Sequence, residues 1–215
     1  MESPLRDHAA PDLRIFETML WTPEGGLARA GRHFARLSAG LDRLDITCPE
    51  PQAAMLGFRA ECAQRVRLSV GLLGDIQVET WDFTPLATDT VWTLGVAMDR
   101  IRSDDPWRQI KTTDRSFLNQ LRDDMPKGLN EVLLRNENGL LCEGTITNLF
   151  VDLGDGLITP PLSCGLLPGV LRQEMLDTGQ AREASLRPAD LGFARAIFVG
   201  NSLRGLIKAQ IAPSA

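Results

Sequence analysis

Three short apolar segments, EVLLRN (131–136), TITNLFVDL (145–153) and GLITP (156–160), are punctuated by NENG and GDG. Asn, Asp and Gly tolerate positive φ, so both punctuations are strong hairpin turns. A chain broken at such short intervals has no room for long helices, and its second half is read as mainly strand. RAIFVGNSLRGLIKAQI (195–211) closes it as strand, turn, strand. The one helical interruption is LPGVLRQEML (167–176), expected to carry Pro168 in its first turn, where a missing N–H costs nothing.

The first half has a different rhythm. LRIFETMLW (13–21) reads as a strand, and RHFARLSAGLDRL (32–44) sets Phe34, Leu37, Leu41 and Leu44 at intervals of 3, 4 and 3, the stripe of an amphipathic helix. After Pro49 and Pro51, QAAMLGFRAECAQR (52–65) is expected to form a second helix. VRLSVGLL, IQVETWDF and TVWTLGVAM then follow as strands. IRSDDPWRQI (101–110) has charges and a proline without periodicity, as a linker would. The expectation is therefore an α/β (α+β) chain of two domains. Residues 1–103 form a small N-terminal α/β sandwich, 104–111 an interdomain linker, and 112–215 a larger β-rich, barrel-like domain opening with a short helix at about 112–123.

Composition narrows the ligand. A formal charge of −5 and a pI near 5.1, with lysines and arginines scattered along the chain, argue against nucleic acid or an anionic membrane and for small molecules. Cys48, Cys62, Cys142 and Cys164 form no C-x-x-C pair, and MESPLRDHAAPDL has neither a basic nor an apolar leader region, so a cytoplasmic protein with reduced thiols is expected. No run reaches the roughly 18 apolar residues of a membrane span. Two histidines, His8 and His33, do not make a His-based metal site, and no metal is expected.

Four short stretches bear on chemistry. VGNSLRG (199–205) approaches the serine-hydrolase elbow, but its spacing is G-x-S-x-x-G and both histidines precede Ser202, which excludes that triad order. A helix opening at GLLPGV offers free N–H groups, and Gly169 would let an anion approach its backbone. In CEGTITNLF, Glu143 lies between an apolar strand and Gly144. If it faces inward its carboxylate needs a cation or N–H partner. In WRQIKTTDRSF (107–117), Lys111 sits in a stretch too mixed for a core and too apolar for a solvent loop.

Taken in order, these blocks resemble the class IV (fold-type IV) pyridoxal-phosphate enzymes, which include branched-chain and D-amino-acid aminotransferases and 4-amino-4-deoxychorismate lyase. The similarity runs from residue 13 to about 210: FET (16–18), HFARL (33–37), KTTDR (111–115), EGTITNLF (143–150), TPPLSCGLLPGVLR (159–172) and GNSLRG (200–205). The resemblance implies a D-amino-acid aminotransferase-like fold, pyridoxal 5′-phosphate as cofactor and a homodimer. It implies Lys111 as the catalytic, cofactor-linking residue, Arg36 on the phosphate and Glu143 on the pyridine nitrogen. Leu167 would lie against the ring, with Gly169, the amides of Val170 and Leu171, and Asn201 and Ser202 around the phosphate. Arg102 and Arg204 are candidates for a substrate carboxylate.

RIRSDDPWRQIKTTDR and NSLRGL are closer to the lyase branch of the family. The lyase would release pyruvate and leave 4-aminobenzoate for folate synthesis. A branched-chain or D-amino-acid aminotransferase is the alternative, and a non-catalytic relative binding a phosphorylated ligand a further one. Three departures accompany the resemblance. The G-D-G lead-in before FET is missing, so a reduced substrate wall is expected. The chain has no tyrosine, Phe117 offering packing only, and Leu171 stands where many aminotransferases place a hydroxyl.

Overall fold

The computed structural model describes residues 5–213, which divide into two compact units. The first comprises the chain up to Pro85 together with Ile110–Arg115; the second comprises Leu86–Gln109 and the chain from Ser116 onward.

In the first unit, β1 (Arg14–Thr22), β2 (Gly26–Leu27), β3 (Gln64–Gly71) and β4 (Ile76–Asp82) form one antiparallel sheet in the order β2-β1-β3-β4. Side chains alternate across a strand, so Ile15, Glu17, Met19 and Trp21 share one face, paired in register with the face carrying Val66, Leu68 and Val70. All seven are buried. Helix α1 (Ala30–Arg43) carries the expected stripe, with Leu37, Leu41 and Leu44 buried. His33 is fully buried one turn before Leu37, whereas Phe34 is only half-buried.

The second helix expected at 52–65 does not form. Pro51–Met55 is a single 3-10 turn, Gly57 takes φ +75°, and β3 begins at Gln64. The apolar residues there lack a common face: Met55 is buried and Leu56 is 82% exposed.

The second unit contains β5 (Val91–Ile101), α2 (Ser116–Asp123), β6 (Glu131–Asn136), β7 (Leu141–Gly144), β8 (Asn148–Asp152), β9 (Leu157–Thr159), α3 (Val170–Asp177), β10 (Ala181–Glu183), β11 (Ala196–Asn201) and β12 (Gly205–Ile211). Its strand order is β10-β9-β8-β11-β12-β5-β6-β7, and an additional β7–β8 pairing closes six strands into a barrel. Closure removes both free edges of the ring. Trp92, Leu94, Leu133, Leu141, Leu149, Val151, Ile197, Val199 and Ile207 from all six barrel strands form one buried cluster. Alternate residues face outward: Val132, Leu134 and Cys142 pack with Leu118 and Leu121 of α2, and Phe150 packs with Leu171 and Met175 of α3.

The NENG and GDG turns fall where the sequence places them, Gly139 and Gly156 taking φ +75° and +88°. The division of the chain does not. β5 pairs in parallel with both β12 and β6, so the second unit begins at Leu86 and not after residue 103. The segment expected as a linker contains a 3-10 turn, Pro106–Gln109, within the second unit. α2 starts at Ser116 because residues 110–115 are held in the first unit. Pro168 precedes α3 by two residues, with Gly169 as N-cap, so it directs the chain into the helix from outside its first turn. Among the described residues, no helix is long and apolar enough to cross a membrane.

Two outcomes follow from this packing. Leu149→Ala is expected to cost about 2–5 kcal/mol by opening a cavity in a fully buried site, read as a lowered urea midpoint. Burial first, then the neighbouring Cys164 and Glu143, pushes the Cys142 thiol up to about 12, so thiol reagents near neutral pH should label exposed Cys62 and reach Cys142 only on unfolding.

Candidate active site

In the first unit the site residues are organised by β1. The Phe16 N–H donates to the Lys111 carbonyl at 2.9 Å, Thr113 N–H donates to Arg14 O at 2.9 Å, and Thr112 forms an isolated antiparallel bridge with Ile15. Lys111 thus stands in a short extended segment laid along β1. Its Nζ lies 4.7 Å from the centroid of the Phe16 ring, and the Arg67 guanidinium carbon lies 4.2 Å from the same centroid. Two cations share one aromatic ring, an arrangement favourable to each through the ring quadrupole.

Glu17, the next residue on β1, turns toward α1. Arg36 donates to it in a fork, Nε to Oε1 at 2.8 Å and Nη2 to Oε2 at 2.6 Å, and His33 Nδ1 approaches Oε2 at 2.6 Å. Burial alone would raise the Glu17 carboxyl. The Arg36 charge and the hydrogen bonds from His33 and Arg36 outweigh it and hold the pKa at about 2. The H-x-x-R spacing places His33 and Arg36 three residues apart on one helix face, where one carboxylate can meet both.

In the second unit, Glu143 and Asn148 are Cα partners across the β7–β8 bridge and therefore share a face. Asn148 donates to the Leu167 carbonyl at 3.2 Å. A Cβ at Gly169 would come within 1.7 Å of Asn148 Oδ1, so any larger residue would have to displace the Asn148 side chain where the α3 N-terminus approaches β8. A Cβ at Gly200 would meet Leu171 Cδ2 at 2.9 Å, which sets the β11–β12 turn against the same helix end. Within that turn Asn201 donates to Ile146 O at 3.2 Å and accepts from the Arg204 N–H at 3.0 Å, and Ser202 is buried. Glu143, Leu167, Gly169, Leu171 and Asn201 are thereby joined through direct neighbours, with Val170 buried at the first position of α3.

The loop between β7 and β8 is shaped by Glu131, which is fully buried. It accepts from the N–H groups of Val132, Thr145 and Ile146, from the hydroxyls of Thr145 and Thr147, and from Arg122. Such a set of donors offsets the cost of removing a carboxylate from water. Buried Arg172 donates to Pro160 O at 2.8 Å and pairs with Glu183, tying the TPP segment to α3.

Glu143 has a partner that sequence reasoning asked for but did not find: Arg108 Nη2 lies 3.1 Å from Glu143 Oε1, both side chains about one-tenth exposed. The two are 35 residues apart, so no local spacing announces the pair. Arg67 and Glu17 were likewise overlooked, since neither role follows from the spacing of local residues. Arg102 forks onto Asp104 at an exposed position, and Phe117 is 37% exposed. Among the described residues, no three His, Cys, Asp or Glu side chains group as a metal site.

Glu17→Gln provides a test of the first cluster. The folded-state pKa of about 2 lies below the ordinary 4.5, so the carboxylate's contribution is complete above pH 4.5 and lost as pH falls through about 2. The wild type should exceed the variant by about 3 kcal/mol near neutrality, with the difference shrinking across that acidic window, as read by denaturant titrations at several pH values.

A sequence profile described as class IV amino-transferase matches residues 14–211. The aminodeoxychorismate lyase of Saccharomyces cerevisiae is 25% identical over 191 residues, 68% of this chain; the chain spans about half, 51%, of that enzyme. A Schizosaccharomyces pombe protein provisionally named aminodeoxychorismate lyase is 27% identical over 208 residues, covering 90% of this chain and 87% of its own length. A crystal structure from Mesorhizobium loti, named by inference an amino-acid aminotransferase, superposes with a TM-score of 0.87 at 44% identity, over 94% of this chain and 100% of its own. With a profile match spanning the first barrelless strand to the last strand of the barrel, the chain belongs to the class IV aminotransferase family of enzymes.

Proposed function

We propose that the protein is a pyridoxal 5′-phosphate enzyme of the lyase type, which converts 4-amino-4-deoxychorismate to 4-aminobenzoate and pyruvate. The observation that carries the cofactor-dependent part of this reading, common to lyase and aminotransferase, is the setting of Lys111. Its backbone is tied to β1 and its amine rests on an aromatic ring, and the KTTDR block that carries it resembles the family's cofactor-lysine block. The donor set suits the cofactor. Lys111 supplies an amine for the aldehyde, Glu143 a carboxylate for the ring nitrogen, and Leu167 an apolar side chain for the ring. Arg36, the first amides of α3 at Val170 and Leu171, Asn201 and Ser202 suit a phosphate. Gly169 fits this role structurally, because at the N-cap it places no side chain over those amides.

When bound, the cofactor supplies an electron sink for a carbanion beside the substrate nitrogen. Lys111 would act as base, taking the proton from the substrate carbon and returning it to the methylene of the departing enolpyruvyl group, and Glu143 would keep the ring nitrogen protonated. The fork of Arg36 on Glu17 fixes the arginine's rotamer before a phosphate arrives, so little side-chain entropy is lost on binding. Arg102, one of the two arginines proposed for a substrate carboxylate, is forked onto Asp104 at an exposed position.

The two lyase-named relatives favour the lyase; the 44% identical Mesorhizobium structure favours an aminotransferase as the second reading. Incubation with cofactor and 4-amino-4-deoxychorismate should yield 4-aminobenzoate and pyruvate in equal amounts, and Lys111→Ala should abolish both. Keto acid formed from amino acids without any 4-aminobenzoate would assign the aminotransferase reaction instead. Borohydride reduction that left no cofactor mass on Lys111 would overturn the enzymatic role of that lysine.

A further inference from the structure

We infer that Arg108 is a positioning residue, which by holding one oxygen of Glu143 keeps the shared proton on the cofactor's ring nitrogen. This rests on the reading that Glu143 meets that nitrogen. Glu143 alone does not explain its own burial, because a carboxylate facing a neutral pyridine tends to capture a proton and leave both groups uncharged.

The geometry of Arg108 is built from several directions. Its Nη2 meets Glu143 Oε1 at 3.1 Å and its Nε points to the Gly165 carbonyl at 3.4 Å. Both side chains of the pair are close to nine-tenths buried. The 3-10 turn Pro106–Gln109 that carries Arg108 is itself fixed, since Trp107 N–H donates to Asp105 Oδ1 at 2.9 Å and Arg108 N–H to Asp105 O at 3.2 Å. Gly165 takes φ +87°, and a Cβ there would lie 2.7 Å from Ser103 Cα, so the 102–108 segment packs directly on the carbonyl that Arg108 uses. On the other side, the β7–β8 bridge fixes the backbone of Glu143.

The consequence is electrostatic. A guanidinium in contact with the carboxylate would act more strongly on it than on a ring nitrogen reached only through that carboxylate. Its charge therefore stabilises the pair of an anionic acid and a protonated ring over the neutral pair. With an effective dielectric of about 20, the attraction of two charges roughly 4 Å apart, partly offset by repulsion from a protonated ring, corresponds to a change on the order of tenfold in the protonation ratio. Arg108 touches no reacting atom and acts only through Glu143.

The test uses the full chain reconstituted with pyridoxal 5′-phosphate carrying ¹⁵N in the ring, and reads the nitrogen chemical shift. Arg108→Gln is expected to move the signal toward the unprotonated value, about tenfold in ratio, while Arg108→Lys, which retains the charge, stays near wild type. Glu143→Gln should move it further, and adding Arg108→Gln to that variant should change nothing more, the signature of action through one partner. If Glu143→Gln shifts the signal and Arg108→Gln leaves it at the wild-type position, the inference about Arg108 is overturned while the reading of Glu143 stands. If Glu143→Gln also leaves it unmoved, the placement of Glu143 on the ring nitrogen fails, and the role of Arg108 with it. Should Arg108→Gln not fold, Arg108→Lys titrated upward decides the matter. The ring signal must leave the protonated position at a lower pH than in the wild type titrated in parallel, and a signal that follows the wild-type curve overturns the inference.

Discussion

A single-residue bridge, Glu143 to Asn148, joins β7 to β8 and converts an open sheet into a closed barrel. The rest of the second unit depends on it. Without that pairing, β7 would be a sheet edge, and the two side chains it aligns would have no common face. With it, a carboxylate and an amide are set side by side on the outside of the barrel, next to the helix end that Asn148 contacts through Leu167 and Gly169. Fold closure and site assembly are therefore one event, and Glu131 supports both by occupying the donors of the connecting loop.

Charged groups removed from water recur throughout: Glu17 with His33 and Arg36, Glu131 with Arg122 and its loop, Glu143 with Arg108, Arg172 with Glu183. Each is expensive to bury and each is met by an opposite charge or several hydrogen bonds. Ion pairs of this kind contribute little net stability against an apolar replacement, yet losing one partner is costly. They consequently act as geometric constraints more than as glue. The two that involve residues proposed to meet the cofactor, Arg36 and Glu143, each restrain a side chain that would otherwise sample many rotamers.

Much of this was legible in the chain. The strands of the second half were marked by Asn, Asp and Gly at the turns, and α1 by Leu37, Leu41 and Leu44, because these signals are local. The family blocks were equally plain, though they name positions and not contacts. What escaped was non-local. The pairing of β5 with β6 and β12 joins segments distant in sequence, so the boundary near residue 103 looked natural until the sheet was seen. Lys111 looked like part of a linker because nothing nearby announces that Ile15 will bridge Thr112. Arg108 and Arg67 were ordinary charges in sequence and acquired meaning only from Glu143 and Phe16. The expected helix at 52–65 failed for the opposite reason: its composition was permissive, but Pro51, Gly57 and an exposed Leu56 left no continuous face to bury.

The short segment Ile110–Arg115 makes the first unit discontinuous in sequence. During synthesis, β1 leaves the ribosome nearly a hundred residues before the segment that completes its edge at Arg14–Phe16, roughly ten seconds at ordinary elongation rates. For that interval the amides there are paired only by water, and the loop that must later close is long, although its entropic cost grows only slowly with length. A fragment ending at Pro85 would reproduce that nascent state permanently, lacking both the lysine and the backbone that holds it.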